Sequence, residues 1–448
     1  MSILNLSTLT FKGGTHPPHN KETTEKLSIV QSKQPDTVVI PMVQHIGAPC
    51  EPVVYVGDKV KVGQKIGEAK GFVSVPVHSS VSGEVVSIEP RLTSGGTAVN
   101  CIVIKNDMQD TVYEGIAPKG ESDKFSSEEI INIIKDAGIA GMGGAAFPVH
   151  VKLSIPPGKT VDTIILNGSE CEPYLTADHR LLVEKPEDVV DGLIAFMKAL
   201  NVKKGFIGIE NNKPDALEAV YNATKGEKGI EVVSLKTKYP QGAEKQLINA
   251  CTDREVPSGG LPADAGVVVN NVGTAAAVAE AIKTGMPLIK RIVTVTGKGV
   301  KNPQNLLVRI GTSFRDVIEE CGGFAGTPGK VIAGGPMMGI AQYSIDVPVI
   351  KGTSGILVLT EEEAKLPESS NCIRCGKCIE VCPINLLPVN ISNNALEDRF
   401  EQAEAYNALD CIECGACSFI CPAKRPLVDS IRVAKREILA KRKKAQSK

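Results

Sequence analysis

A run of four cysteines that occurs twice near the C-terminus is the feature that most constrains this chain. Both copies have the spacing Cys-x2-Cys-x2-Cys-x3-Cys-Pro, and together they hold 8 of the 13 cysteines. Three thiolates at this spacing can wrap one cubane [4Fe–4S] cluster, and the last Cys of each run, followed by Pro, ligates the cluster of the other run. The sequence therefore predicts two crossed ligand sets. One is Cys372, Cys375, Cys378 and Cys421, and the other is Cys411, Cys414, Cys417 and Cys382.

Structural zinc is the alternative that these cysteines leave open. Zinc sites favour two Cys-x2-Cys pairs separated by a longer spacer, whereas each run here is a complete set of four. The spacing therefore favours iron–sulfur clusters. Residues 360–430 resemble the bacterial two-cluster ferredoxins over their whole length, which implies a domain that carries single electrons. The other five cysteines stand singly, which indicates reduced thiols rather than a disulfide framework.

Composition excludes two functional classes. The 448 residues include 50 Lys+Arg and 51 Asp+Glu, for a net charge of −1, and only 4% aromatic residues. Such a surface would not attract nucleic-acid phosphates, and few rings are available to stack on bases, so we expect no nucleic-acid partner. No uncharged apolar run reaches the roughly 18 residues that a membrane span needs, so we expect this chain not to cross a membrane by itself.

Residues 120–290 alternate helical and apolar segments. Helices are predicted at 127–137, 186–200, 215–224 and 242–251, and strands at 161–166, 205–209, 231–235 and 266–269. This order predicts an α/β layer with a largely parallel sheet, in which ligands bind at the carboxyl ends of the strands. Four polar or glycine-rich loops occur where such a site belongs, at residues 138–148 (followed by Lys152), 167–174, 239–245 and 270–274.

These four loops resemble those of the flavoprotein subunit of respiratory complex I, which binds FMN and NADH. The resemblance implies a non-covalent FMN and NADH as substrate. It implies that Lys152 contacts FMN, that Glu172 and Glu244 face NADH, and that Phe147 stacks on the nicotinamide or the adenine. The full set of implied cofactor-binding residues is Gly141, Gly143, Gly144, Phe147, Lys152, Asn167, Ser169, Glu170, Glu172, Tyr239, Gly242, Glu244, Asn270 and Asn271.

Four substitutions separate the chain from the complex I loops. An Arg, an Asp, a Gly and a Glu of that family are replaced by Met142, Ser169, Ala146 and Ala243. They predict weaker FMN binding than in complex I. They also leave open a second hypothesis, a ferredoxin-like adapter without nucleotide chemistry to which partners deliver the electrons.

Two β modules flank the α/β region. Residues 1–110 open with Gly-Gly-Thr-His-Pro-Pro at 13–18 and continue in short strands separated by turns, and part of them resembles a biotinyl/lipoyl-type barrel-sandwich domain. Residues 291–350 end with Gly-Gly-Pro-Met-Met-Gly at 334–339 and resemble the β-grasp module called SLBB. The predicted fold class is multidomain α+β and α/β: a barrel-sandwich β module, a complex-I-flavoprotein-like α/β domain, an SLBB module and a two-cluster ferredoxin-like helical domain.

This order of modules resembles the RnfC family, a component of the Rnf complex, across essentially the whole chain. The resemblance implies that NADH is oxidised at FMN and that electrons pass reversibly through the two clusters, coupled to Na⁺ or H⁺ translocation. It implies membrane subunits and a ferredoxin-like iron–sulfur subunit as partners, and a peripheral position on the cytoplasmic side of the cell membrane. The cobalamin-reductase subunit of diol-degrading microcompartments is the alternative, but residues 13–18 and 334–339 favour Rnf.

Residues 431–448 are predicted to form a basic C-terminal tail. Leu427, Ile431, Ala434 and Ile438 fall on one helical face, and residues 441–444 are all basic. We expect a solvated terminal helix with a frayed end. Because each basic residue near an anionic leaflet contributes only ~1 kcal/mol, membrane attachment should come mainly from partner subunits.

Overall fold

The computed structural model describes residues 7–446 and contains four β-sheets. The first six residues of the expected N-terminal module and the last two of the expected tail lie outside the described residues. The strands up to residue 110 are β1 (Thr8–Leu9), β2 (Ile29–Gln31), β3 (Thr37–Pro41), β4 (Glu51–Pro52), β5 (Lys59–Val60), β6 (Lys65–Glu68), β7 (Val77–His78), β8 (Gly83–Leu92) and β9 (Ala98–Asn106).

The barrel-sandwich module is built from two antiparallel sheets. Their strand orders are β3-β9-β8-β5 and β4-β6-β7. Alternate residues of these strands point into one core of Val and Ile side chains, as the period of two in a strand requires, and Val38, Ile40, Ile102 and Ile104 are fully buried there.

The α/β domain follows, and its sheet is parallel as predicted. Its elements are α1 (Ser127–Asp136), α2 (Val149–Leu153), β10 (Thr163–Gly168), α3 (Ala177–Glu184), α4 (Pro186–Leu200), β11 (Lys204–Glu210), α5 (Pro214–Ala223), β12 (Ile230–Leu235), α6 (Glu244–Thr252), β13 (Val267–Asn271) and α7 (Val272–Thr284). The strand order is β1-β12-β11-β10-β13. Helix α7 was not predicted, because it follows β13 without a loop and is capped by the strand's own last residue, Asn271.

The SLBB module forms the largest sheet. Its elements are β14 (Lys290–Thr296), β15 (Gln304–Arg309), α8 (Phe314–Glu320), β16 (Pro328–Ala333), β17 (Ile340–Gln342) and β18 (Gly355–Thr360), and the sheet order is β17-β16-β18-β14-β15-β2. The last strand lies beyond residue 350, the boundary expected from the sequence.

The cysteine-rich domain is helical. Helix α9 (Glu361–Ala364) packs against β16 and β18, and the domain itself contains α10 (Lys377–Glu380), α11 (Pro388–Leu396), α12 (Phe400–Ala405), α13 (Ala416–Ile420) and α14 (Leu427–Gln446). The expectation of a solvated terminal helix needs correction, because the apolar face of α14 is part of the core. Leu427, Ile431, Ala434 and Ile438 are all buried, the last three against α11 and α12. Several basic residues of α14 make ion pairs within the domain, including Arg442 with Glu404.

The strands of the N-terminal segment pair with other sheets and not with the barrel-sandwich strands that follow them. Strand β1 pairs with β12 in the parallel sheet, and β2 pairs with β15 in the SLBB sheet. The chain between them therefore runs across two other domains before it enters the barrel. Over residues 7–446, no helix is both long and apolar enough to cross a lipid bilayer.

Candidate functional site

Four cysteines from both runs surround one cavity, which we call the inner site: Cys382, Cys411, Cys414 and Cys417. Backbone N–H groups are directed at two of the sulfurs. Leu386 N lies 3.3 Å from Cys382 Sγ, and Glu413 N lies 3.4 Å from Cys411 Sγ. Hydrogen bonds of this kind stabilise negative charge on cluster sulfurs and tune the cluster potential. The cavity therefore has the donor set of an iron–sulfur site.

Electrostatics also group Cys382 with the second run. Burial, followed by the neighbouring sulfurs of Cys411, Cys414 and Cys382, raises the pKa of Cys417 to about 12. Buried thiolates need a compensating positive charge, which iron would supply on binding. No three His, Cys, Asp or Glu side chains within residues 7–446 converge closely enough to hold a single ion, and the four sulfurs surround a cavity instead.

The remaining four cysteines form the outer site: Cys372, Cys375, Cys378 and Cys421. Cys372 and Cys375 are exposed, and the other two are partly buried. Burial raises the pKa of Cys378, and the sulfurs of Cys421 and Cys372 add to this rise. Cys378 of the first run and Cys421 of the second are therefore close enough for their charges to interact.

The two runs fold with the same backbone. The second residue after the first Cys of each run has a positive φ, +57° at Arg374 and +56° at Glu413. The Gly after the second Cys has φ +77° in both, at Gly376 and Gly415. Left-handed residues at matching positions turn each loop so that its N–H groups and thiols face inward, and Gly adopts that conformation at little cost.

The glycine-rich loop lies beside the end of β13. A Cβ on Gly143 would lie 2.8 Å from the Asn271 Nδ2 atom, so only Gly fits there. Gly141 N donates to Phe147 O at 2.9 Å and closes the turn, while Gly143 and Gly144 are exposed. The loop leaves an open, side-chain-free backbone surface of the type that accepts a phosphate or a ring edge.

Two residues of the acidic loop that were expected to contact a ligand make hydrogen bonds to other parts of the chain. The Glu170 carboxylate accepts from Asp178 N and His179 N, at 2.7 and 3.2 Å, and caps α3. The Glu172 carboxylate, expected to face NADH, accepts from Met337 N and Met338 N at 3.1 and 2.8 Å, within the Gly-Gly-Pro-Met-Met-Gly turn. Burial raises the pKa of Glu172 to about 7, although these two N–H groups act to lower it.

Lys152 and Glu244 form a pair between the loops. Lys152 Nζ lies 3.2 Å from Glu244 Oε1 and 3.0 Å from Val269 O in β13. Asn167 Nδ2 donates to Gly242 O at 2.7 Å, which joins the second and third loops. The glycine-rich, acidic and α6 loops therefore meet at the end of the sheet.

Tyr239 lies where the third loop meets the cluster domain. It is buried, and its hydroxyl donates to Cys414 O at 2.7 Å in the inner site. This hydrogen bond connects the third loop to the cluster domain, and the expected contact of Tyr239 with a cofactor stays a prediction.

Several polar atoms at the sheet end are buried without a hydrogen-bond partner in the described part of the chain: Ser169 Oγ, Asn270 Nδ2 and Oδ1, and Gln241 Nε2. Each unsatisfied buried atom costs about 1–3 kcal/mol, so such atoms in the loops at the sheet end favour a ligand with matching donors and acceptors. The phosphate, ribityl hydroxyls and ring of FMN carry such groups, so the residues fit this cofactor.

Sequence reasoning missed a buried arginine in the site. Arg291 in β14 is buried, and its guanidinium nitrogens lie 2.9 Å from Met142 Sδ and 3.4 Å from Met142 O. Met142 is the position at which the complex I family carries Arg, so a guanidinium reaches the same loop from another domain. No local pattern could have indicated this, because the two residues are 149 positions apart.

Four family models match successive parts of the chain. They are the RnfC barrel sandwich hybrid domain at 9–109, the Nuo51 FMN-binding domain at 134–280, the SLBB domain at 292–341 and the 4Fe-4S dicluster domain at 364–422. These matches confirm the predicted fold class, and they favour iron–sulfur clusters over zinc.

Curated relatives match over nearly the full length, and all three described here are the C component of a multi-subunit oxidoreductase. That of the Na⁺-translocating ferredoxin:NAD⁺ oxidoreductase complex of Acetobacterium woodii is 57% identical and covers 98% of this chain and 100% of its own. That of the proton-translocating ferredoxin:NAD⁺ oxidoreductase complex of Clostridium ljungdahlii is 53% identical, covering 95% and 93%. That of the ion-translocating oxidoreductase complex of Rhodobacter capsulatus is 42% identical, covering 96% and 83%.

Proposed function

This chain belongs to the RnfC family, a component of the ion-translocating ferredoxin:NAD⁺ oxidoreductases, and from that premise we propose how its residues carry electrons between NADH and the partner subunits. It is an electron-transfer subunit with FMN and two [4Fe–4S] clusters, and it works with the other Rnf subunits in a membrane-associated complex that couples electron transfer to Na⁺ or H⁺ movement.

The FMN site lies at the carboxyl end of the parallel sheet. FMN, when bound, exchanges electron pairs with NADH and single electrons with iron–sulfur clusters. Gly141, Gly143 and Gly144 present a bare backbone to it, and Phe147 closes that turn. Polar contacts come from Lys152, Asn167, Ser169, Gly242, Glu244, Asn270 and Asn271. Glu170, Glu172 and Tyr239 orient the loops, as their hydrogen bonds to α3, the 334–339 turn and Cys414 support.

One observation carries the proposed order of the electron path. The Tyr239 hydroxyl bonds the Cys414 carbonyl, so a loop of the FMN site contacts the inner cluster loop directly. The inner site is buried there, whereas the outer site has two exposed cysteines. Electrons would therefore pass between FMN and the inner site first, and the outer site would exchange them with partner subunits.

The proposed location is the cytoplasmic side of the membrane. All 13 cysteines lie within the described residues and none forms a disulfide, which is typical of a reducing compartment. NADH is also a solute of that compartment, and a subunit that oxidises it must be exposed to it.

The test compares Asn270→Leu with wild type. If Asn270 binds FMN, the variant should bind FMN roughly tenfold more weakly in a fluorescence titration, because two hydrogen bonds are lost. The FMN-free variant should at the same time melt at a higher temperature, because two unsatisfied buried atoms are removed. Asn222→Leu, at an exposed position of α5, is the control and should leave FMN affinity unchanged.

A second measurement tests the activity itself. Wild-type protein with both clusters should bleach its flavin absorbance on addition of NADH, and the cluster EPR signals should follow. If the protein binds no measurable FMN and NADH causes no bleaching of the flavin absorbance, the hypothesis of a ferredoxin-like adapter replaces the proposed function.

A further inference from the structure

The N-terminal motif at residues 13–18 lies outside both the FMN loops and the cysteine runs. It belongs to a segment, residues 11–21, which we call the strap. The strap lies between β1 in the parallel sheet and the chain leading to β2, and its contacts run from the inner cluster site to the acidic loop of the FMN site.

One end of the strap contacts the backbone of the inner site. Gly14 N donates to Val381 O at 2.9 Å, directly before the ligand Cys382. Gly13 approaches so closely that a Cβ there would lie 3.1 Å from Cys382 O. Gly14 has φ +83°, and a Cβ on it would lie 2.8 Å from Tyr239 O. Two glycines are therefore required for the strap to fit between the two loops.

The middle of the strap is bonded to the loop that carries Tyr239. Thr15 and Tyr239 exchange two backbone hydrogen bonds, of 2.7 and 2.8 Å. The Lys238 ammonium lies 3.8 Å from the centroid of the Phe11 ring and donates to the carbonyls of Phe11 and Gly13. The residues on each side of the Tyr239–Cys414 contact are thus held by the strap.

The other end holds the acidic loop. Tyr174 N donates to His19 O at 2.8 Å. Lys21 is buried, and its Nζ donates to Glu170 O and Glu172 O, both at 2.9 Å, and to Leu175 O. A buried ammonium is tolerated only when it is fully hydrogen-bonded, and here three carbonyls of one loop satisfy it. Removal of Lys21 would leave three carbonyl oxygens without their common donor.

We infer that the strap sets the position of the FMN loops relative to the inner cluster site, with Lys21 as the positioning residue for the FMN end and Gly14 for the cluster end. This inference rests on the proposed function. The Gly-Gly-Thr-His-Pro-Pro motif then helps to set the distance between the two redox sites and binds neither cofactor directly.

The first test is Lys21→Met in the full-length protein, with Lys12→Met as matched control, because Lys12 lies in the same strap but is exposed. Lys21→Met should bind FMN roughly tenfold more weakly and shift the flavin midpoint potential, because the loop carbonyls lose their donor. Iron content and the EPR signals of both clusters should match those of Lys12→Met. Unchanged FMN affinity and potential, or loss of iron along with FMN, would overturn the assignment of Lys21.

The second test is Gly14→Ala, with Gly96→Ala as control. Both glycines have positive φ, near +80°, but a Cβ on Gly96 would meet nothing within 4 Å. Gly14→Ala should slow electron transfer from reduced flavin to the clusters and change the EPR signal of the inner centre, while FMN affinity and the outer signal stay as in Gly96→Ala. An inner signal and a transfer rate equal to those of the control would overturn the role of the strap.

The two tests also separate this inference from the proposed function. If wild-type protein bound no FMN, the proposed function would fail, and the effect of Gly14→Ala on the inner EPR signal would still decide whether the strap positions the cluster loop.

Discussion

The inner and outer sites are built from the same sequence pattern and the same backbone turns, yet they occupy different surroundings. The inner site lies against Tyr239, the strap and α14, and three of its four cysteines are buried. The outer site has two exposed cysteines, and the exposed side chains of Ile373 and Arg374 lie between them. Cluster potential and stability depend on hydrogen bonding and exposure, so two equal motifs become two unequal redox sites.

The largest expected effect tests whether the two sites are crossed. Cys382→Ser should remove about half of the iron, and the lost EPR signal should be the one also lost in Cys411→Ser, because both sulfurs line the inner cavity. Cys372→Ser should alter the other signal, and Cys101→Ser, buried in the barrel, should alter neither. If Cys382→Ser and Cys411→Ser affect different centres, the crossed assignment is wrong.

The next largest effect is expected from truncation of α14, which packs in the same core as Cys382 and Cys411 of the inner site. Truncation after Ala434 removes Ile438 from the core and the Lys435 bond to Cys411 O, which measures 2.7 Å. Loss of a buried Ile side chain alone costs about 2–5 kcal/mol. We therefore expect the EPR signal of the inner centre to be lost more readily than that of the outer centre.

Truncation after Lys443 is the control, and it should preserve iron content and both signals. If the longer truncation also kept both centres, α14 would be a dispensable tail after all. Membrane retention in the presence of the partner subunits should follow the folding of the cluster domain, because α14 belongs to its core.

A smaller effect is expected from Tyr239→Phe. The change leaves the Cys414 carbonyl without its donor and should lower stability by about 1–2 kcal/mol. The midpoint potential of the inner centre should shift in a redox titration followed by EPR, and that of the outer centre should stay constant. Tyr343→Phe, at an exposed position, serves as the control. Equal shifts in both centres would show that the contact is not specific to the inner site.

The smallest effect is a pH dependence through Glu172. Its pKa is about 7 in the folded protein, against 4.5 for an unperturbed Glu, so the folded state holds the proton more tightly. This contribution to stability is complete below pH 4.5 and is lost as the pH rises through about 7, where the carboxyl group of the folded protein loses its proton.

Melting curves between pH 5 and 8 check this prediction. Glu172→Gln should flatten the dependence, whereas Glu128→Gln, at an exposed position of α1, should leave it as in wild type. Because Met337 O lies near Gly415, with 3.2 Å to a Cβ built there, we expect the inner EPR signal to follow the same titration and the outer signal not to. If the inner EPR signal did not depend on pH, the 334–339 turn would not transmit the protonation of Glu172 to the inner site.

Much of the fold followed from local patterns. Helix α4 has the bounds predicted for residues 186–200, and the strands at 204–210 and 230–235 differ from the predictions by one residue at most. Helix α3 was missed, since its start is capped by Glu170 from the preceding loop rather than by its own first residues. Buried strands bounded by turn residues can be recognised from sequence, but a cap supplied eight positions earlier cannot.

The sequence by itself determined the two cysteine runs and the four loops at the sheet end. These features depend on residues within a few positions of one another, through Gly conformations and ligand spacing. Only the tertiary structure decided which cluster site is covered, that Arg291 reaches Met142, and that Lys21 holds the acidic loop 149 positions away. Burial and long-range hydrogen bonds arise when distant segments pack together, and a local pattern carries no information on which segments will meet.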